Sequence, residues 1–425
     1  MTCIDPRRVS QAARAFVCDD CAAEYPLHRP ITLCPDCGGL LEVRYDLGLI
    51  APGLPGRARE GRGMWRWREL LPLPLDVAPV SLGEGDTPLL ELSMPGGASL
   101  LVKNDGLMPT GSFKDRGFAL AVSFAAALGV DSGFTYSSGN AAGSFGAYCA
   151  RAGIAATVFV EDLASELKIA AAAMAGADVR LLRFDSSAEI FASLDALARE
   201  GRYSFVNFLN PVRHEAMKVY AYELCEALGW RAPDVVIHPV GTGGGLWGCW
   251  KGFLELRALG LIDRLPRMVG VQPAACAPIV EAMAAGRAAC ITVGDPAATI
   301  AQSIATDTMP YGGRRVLRAL RDSGGRAYAV PEQGIEDAMR ALGRAGISAE
   351  PSGAVAYAAA AAGLREGWIA PDETAVAVVT GTGLKQPAAL ISAAPAPGGR
   401  LEAADVGAWR RVLDGAGRDA AECMR

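Results

Sequence analysis

From about residue 80 onward the chain switches repeatedly between short apolar, β-branched runs and longer alanine-rich stretches. No other feature limits its fold as much. Strands are predicted at 100–103, 133–137, 156–160, 178–183, 203–207, 234–240, 267–273, 327–330 and 375–380. Helices are predicted at 115–128, 142–152, 164–175, 187–200, 213–228, 246–259, 334–344 and 352–364. Such alternation predicts an α/β fold with mainly parallel sheets. Parallel strands covered on both faces read as unbroken apolar runs, and DVVIHPV (234–240) and AVAVVT (375–380) do so. With 425 residues, 51% of them hydrophobic, the chain can fill two or three cores.

The N-terminal part is different. Residues 16–45 read FVCDDCAAEYPLHRPITLCPDCGGLLEVRY. Cys18 and Cys21 form one Cys-x-x-Cys pair and Cys34 and Cys37 a second, with twelve residues between the pairs. Two such turns flanked by short strands fit a zinc ribbon, in which four thiolates converge on one tetrahedral ion. The competing reading is four unrelated free thiols. A four-cysteine site is coordinatively closed, so its zinc is expected to be structural. The other seven cysteines are scattered and read as reduced, small hydrophobes. Residues 51–78 are rich in Pro, Gly and Arg and read as a linker wrapping a surface. The tail after Pro395 reads as a peripheral helix with frayed ends.

A net charge of −5 with no basic cluster argues against a nucleic-acid partner, including for the ribbon. No apolar run is long enough to span a bilayer, and Met1–Ser10 lacks a signal-peptide core, so a cytoplasmic location is expected. His28, His214 and His238 fall in no recognisable triad or metal motif.

Four segments carry chemistry. In KNDGLMPTGSFKDRG (103–117) a Gly-Ser turn leads to Lys114 at a predicted helix start. The positive end of the helix dipole disfavours the ammonium form, as a Schiff-base lysine requires. On the residues alone, Lys114 reads equally as a surface lysine. Ser137, Ser138, Gly139 and Asn140 follow a strand and precede a helix, a setting that offers N–H groups and hydroxyls to anions. Gly241, Thr242, Gly243, Gly244 and Gly245 sit in the same context and form a candidate phosphate cradle. A tight turn explains those glycines equally well. The loop is neither a Walker A motif nor a dinucleotide fingerprint. Thr380-Gly381-Thr382-Gly383 ends a strand, where open α/β sheets bind ligands.

Together these segments resemble the threonine synthase family of fold-type II pyridoxal-phosphate enzymes over most of residues 16–390. PTGSFKDRG (109–117) matches the family's cofactor-lysine motif, and NPVRHEAMKVYAYEL (210–224), AEPSGAVA (349–356) and TGTGLKQP (380–387) look like further family blocks. The resemblance implies two parallel-sheet α/β domains plus the small ribbon. The ribbon takes 1–45, and 46–112 is linker and the start of the large domain. A smaller, mobile domain takes 113–222, the large domain with the phosphate loop 223–395, and the tail 396–425. It implies pyridoxal 5′-phosphate held by Lys114, oriented by Asn140, with its phosphate on Gly241–Gly245 and its pyridine nitrogen facing Thr380. Ser137, Ser138 and Gly139 would take the substrate carboxylate, Asn207 and Arg213 the substrate phosphate. The implied reaction converts O-phospho-L-homoserine and water to L-threonine and phosphate, and the implied assembly is a homodimer.

Ala141 replaces a usual threonine and Phe208 a usual serine, while Met217 makes the anion site less polar. The stretch Ser303-Ile304-Ala305-Thr306-Asp307 also departs from the family pattern. These changes favour an alternative: β-elimination or β-replacement on a serine-, threonine- or phosphoserine-like amino acid, as in cysteate synthase or a threonine ammonia-lyase. A third reading, a catalytically dead binding protein, is opposed by the intact Lys114, glycine loop and Thr380.

Overall fold

A computed structural model describes residues 12–50, 52–58, 61–137, 139–161, 166–183, 187–207, 209–396, 402–403 and 405–413. The chain divides into two compact units, Met1–Ser392 and Ala393–Arg425. In the second, residues 406–413 are helical, with Val406, Trp409 and Leu413 exposed.

The strands of the first unit are β1 Ala13–Cys18, β2 Glu24–Pro26, β3 Leu41–Tyr45, β4 Leu89–Ser93, β5 Ser99–Asn104, β6 Ser132–Tyr136, β7 Ala155–Glu161, β8 Asp178–Leu182, β9 Val235–Pro239, β10 Arg267–Pro273, β11 Arg326–Val330 and β12 Ala375–Val379. They form three sheets. β2-β1-β3 is antiparallel and carries the cysteine turns. β6-β7-β8 is parallel. The largest sheet has the order β11-β10-β9-β12-β5-β4, parallel except for the antiparallel edge strand β4. Every residue of β9 and β12 is buried, as their unbroken apolar runs require. These neighbours pair in register, Ala375 with Val235 and Ala377 with Ile237. Their carboxyl ends therefore release the Gly241 and Thr380 loops side by side. The fold is the α/β architecture with mainly parallel sheets that the alternation predicts.

Three local expectations are corrected. Residues 203–207 do not form a strand. Only Ser204 bridges, to Phe134, because Asn210 turns the chain into the next helix. Its Nδ2 donates to Ser204 O at 2.9 Å and its Oδ1 accepts from Val212 N at 3.0 Å. The single helix expected at 213–228 is two, Pro211–Met217 and Val219–Ala227, which meet at Lys218. That lysine is fully buried, paired with Glu215 at 2.8 Å and Glu255 at 3.0 Å. The 51–78 segment does more than wrap a surface. Met64, Trp67, Leu70, Leu71 and Leu73 are completely buried in the main core, and Lys218 Nζ donates to Leu70 O at 2.8 Å.

Candidate active site

Lys114 is the first residue of the Lys114–Ala127 helix, half-buried, with Nζ 4.2 Å from the centre of the Phe113 ring. Phe113 in turn packs edge-on to His238. The loop before it is stitched to the end of β12: Phe113 N donates to Thr380 O at 2.9 Å and Thr382 N to Gly111 O at 3.0 Å. Glu350 N donates to Gly381 O at 3.0 Å from the other side. The two residues after Lys114 are fully buried anchors. Arg116 pairs with Asp105 and Glu223, each at 2.8 Å. Asp115 accepts from Thr110 N at 2.7 Å and from Ser144 Oγ at 2.5 Å. Burial pushes its carboxyl up to about 6, despite those hydrogen bonds.

The glycine loop runs from β9 into the Gly244–Ala258 helix, whose first N–H groups have no partner within the helix. Gly243 has φ +87°, and a Cβ there would lie 2.1 Å from Val316 Cγ2, so both backbone and space demand glycine. Gly245 packs against His238 and Phe113, which brings the loop beside Lys114. Thr380 is buried at the end of β12.

Asn140 opens the Asn140–Ala152 helix, and its Nδ2 donates to Glu350 Oε1 at 2.7 Å. Ser303 Oγ approaches the other oxygen of Glu350 at 3.5 Å. Ser137 follows β6 and its Oγ accepts from Gly139 N at 3.1 Å, while Gly139 faces Ser303. Ser138 and Phe208 lie outside the described residues. Asn207 Nδ2 donates to Thr242 Oγ1, joining the NPVRHEA block to the glycine loop.

Arg213 is buried over the ring of Phe118, which lies one turn after Lys114 on its helix, at 3.9 Å, with Gly117 beside its Nε. It donates to Phe205 O at 2.7 Å, but Nε and Nη2 have no hydrogen-bond partner among the described residues. Burial lowers its pKa to about 9. Ser112 Oγ, Asn140 Oδ1 and His238 Nε2 are likewise buried without partners among the described residues. Natural proteins seldom leave such atoms unmatched, and Ser112, Asn140 and His238 belong to the segments that surround Lys114, so these atoms fit a polar ligand held there.

The four sulfurs of Cys18, Cys21, Cys34 and Cys37 lie within 4.8 Å of one another. The Cys18–Cys37 and Cys21–Cys37 separations are 3.5 Å and Cys21–Cys34 is 3.6 Å. A tetrahedral ion with metal–sulfur bonds of about 2.3 Å has sulfur–sulfur edges of ~3.8 Å, so the donor set fits such an ion. Asp20 N and Gly39 N each donate to a cysteine sulfur at 3.4 Å, as in a metal knuckle.

Sequence reasoning gave no site role to Glu350, His214 or Arg315, and noted Ser303 only within a stretch that departs from the family pattern. Glu350 and His214 stand inside the family-like blocks, and their burial is the signal a motif cannot supply. Arg315 stands in none of the segments singled out.

The pyridoxal-phosphate dependent enzyme family matches residues 80–381. A threonine synthase of Methanocaldococcus jannaschii is 39% identical, over 89% of this chain and 95% of its own. One of Mycobacterium bovis is 38% identical over 76% of this chain and 88% of its own. Among solved structures, a T.th. threonine deaminase superposes with TM-score 0.56 at 25% identity, covering 70% of this chain and 92% of that one. Maize serine racemase does so with TM-score 0.58 at 20% identity, over 72% and 91%, a likeness of fold. The chain is thus a pyridoxal-phosphate dependent lyase and belongs to the threonine synthase family.

Proposed function

We propose that this enzyme releases phosphate from O-phospho-L-homoserine and adds water to give L-threonine. The observation that carries the reading is the buried Arg213 guanidinium, which lies over Phe118, one turn after Lys114 on its helix, with Nε and Nη2 unmatched among the described residues. An anion bound there satisfies both donors and restores the charge that burial disfavours.

Pyridoxal phosphate, when bound, supplies the electron sink. Lys114 is the residue to hold it and to move the proton at the substrate's carbon. Gly241–Gly245 and Thr242 Oγ1 offer donors for its phosphate at a helix N-terminus. Asn140, fixed by Glu350, would orient its ring, and Thr380 would set a neutral hydroxyl at the pyridine nitrogen. Ser137, Ser138 and Gly139 are proposed for the substrate carboxylate, and Asn207 and Arg213 for the leaving phosphate. We also assign a structural zinc to the four cysteines, mobility to the 113–222 body, and a cytoplasmic homodimer as the working form.

Met217 Cε would lie 3.0 Å from a Cβ at Gly117, next to Arg213, and Ala141 is buried in the same core. This apolar lining favours a second reading, elimination or replacement on a smaller hydroxy- or phosphoserine-like amino acid. Replacing Lys114 with Ala should abolish turnover and the cofactor absorbance band. Replacing Arg213 with Leu should keep the band and raise KM for O-phospho-L-homoserine about 100-fold, the effect of losing a charge-assisted anchor. An Arg213→Leu enzyme with unchanged KM sinks the assignment of substrate.

A further inference from the structure

We infer that His214 and Arg315 are positioning residues for the seat of the cofactor's phosphate, and that the first cysteine turn is its far anchor. This rests on reading Gly241–Gly245 as the phosphate loop.

A chain of contacts joins the turn to the loop. Asp19, between Cys18 and Cys21, accepts from Arg315 Nε at 2.6 Å. Arg315 Nη2 donates to Leu41 O at 2.9 Å, and Nη1 meets His214 Nδ1 at 3.1 Å. His214 Nε2 meets Asn207 O at 2.8 Å. Asn207 Nδ2 then donates to Thr242 Oγ1 in the middle of the glycine loop.

The chemistry of the partners leaves one arrangement. A guanidinium only donates, so Nδ1 of His214 must accept. A backbone carbonyl only accepts, so Nε2 must carry the proton. The imidazole is therefore neutral and held in one tautomer. Its burial and the Arg315 charge lower its pKa to about 3, which keeps it so at neutral pH. The ring also packs on the loop itself: a Cβ at Gly244 would lie 2.9 Å from His214 Cδ2. The helix that carries Arg315 presses the loop a second time, through Val316 against Gly243.

Arg315 thus spends all three nitrogens on three elements: the cysteine turn, the start of β3, and His214. A lysine has the charge without the planar fork and cannot span them. Arg314 makes a useful contrast. It pairs with Asp20 at 2.8 Å in the same seam, is half exposed, and makes no hydrogen bond to His214 among the described residues.

The test follows pyridoxal phosphate leaving the holoenzyme after dilution, by its absorbance, in Asp19→Asn, Arg315→Lys, Arg315→Met and Arg314→Gln. Release is expected about 3- to 30-fold faster in the first three, with the band position unchanged and Arg314→Gln like wild type. Asp19→Asn combined with Arg315→Met should add little, since both cut one chain of contacts. Asp19→Asn is nearly isosteric, and thermal melting checks that each variant is folded. Folded Asp19→Asn and Arg315→Lys proteins that release cofactor at the wild-type rate overturn the inference. So does an equal acceleration in Arg314→Gln, which marks general loosening of the ribbon. Wild-type protein with no cofactor band removes the phosphate-loop reading itself, and the inference with it.

Discussion

The side-chain amide of Asn140 donates to the buried carboxylate of Glu350 at 2.7 Å, and Gly381 passes so close that a Cβ there would lie 2.5 Å from the same oxygen. Three segments from distant parts of the chain therefore fix one amide beside Lys114. Gly381→Ala must displace Glu350 and release Asn140. Turnover should fall about 10- to 100-fold, the usual cost of losing an orienting partner, with the protein still folded. Steady-state kinetics beside a thermal melt checks this, and a wild-type kcat would show that Glu350 does not orient the site.

Gly243 tests the phosphate loop from its backbone. At φ +87°, with Val316 Cγ2 only 2.1 Å from the position of a new Cβ, Gly243→Ala adds strain and a clash together. Stability should drop by about 1–3 kcal/mol, and cofactor content should fall with it. Denaturant unfolding and absorbance measure the two effects. Gly343→Ala, a helical position where a Cβ meets nothing, is the matched control.

Much of this was legible in the sequence, for identifiable reasons. β9 and β12 read as unbroken apolar runs because both faces are covered, so the centre of the sheet and the loops at its end were visible. The cysteine pairs declared their own convergence by spacing. Trp67 and Leu70–Leu71 were hidden in a segment whose Pro, Gly and Arg content masks an apolar stripe. The 203–207 run has β propensity but is turned by Asn210. Glu350 and Arg315 could not be assigned, because nothing local marks a carboxylate or guanidinium whose partners lie 210 and 296 residues away.

Asp115 gives a pH signature. Its carboxyl sits at about 6 in the fold, against 3.8 for an unperturbed aspartate, because burial outweighs its hydrogen bonds from Ser144 and Thr110. A raised folded value means that the native state holds its proton longer than the unfolded chain. Stability should therefore fall as pH rises from about 4 to about 6, and this group's contribution levels off above that. The loss is at most about 3 kcal/mol. Asp115→Asn should flatten this part of the profile. Urea unfolding at pH 4, 5, 6 and 7 compares the two proteins, and identical slopes would remove Asp115 as the cause.

For the ribbon, one metal equivalent per chain is expected. Cys34→Ser should lower zinc content and the melting temperature while leaving the position of the cofactor band unchanged, since the four sulfurs converge on one another. Elemental analysis and spectra of the two proteins decide it. Native protein free of zinc would leave the four thiols as ordinary cysteines.

The assigned reaction is tested most directly by giving the purified, cofactor-loaded enzyme O-phospho-L-homoserine and assaying inorganic phosphate and threonine together. Equal amounts of both are expected, and neither from Lys114→Ala. If neither product forms, while serine, threonine or O-phosphoserine perturbs the cofactor spectrum, the assignment fails and the enzyme acts on the smaller amino acids instead.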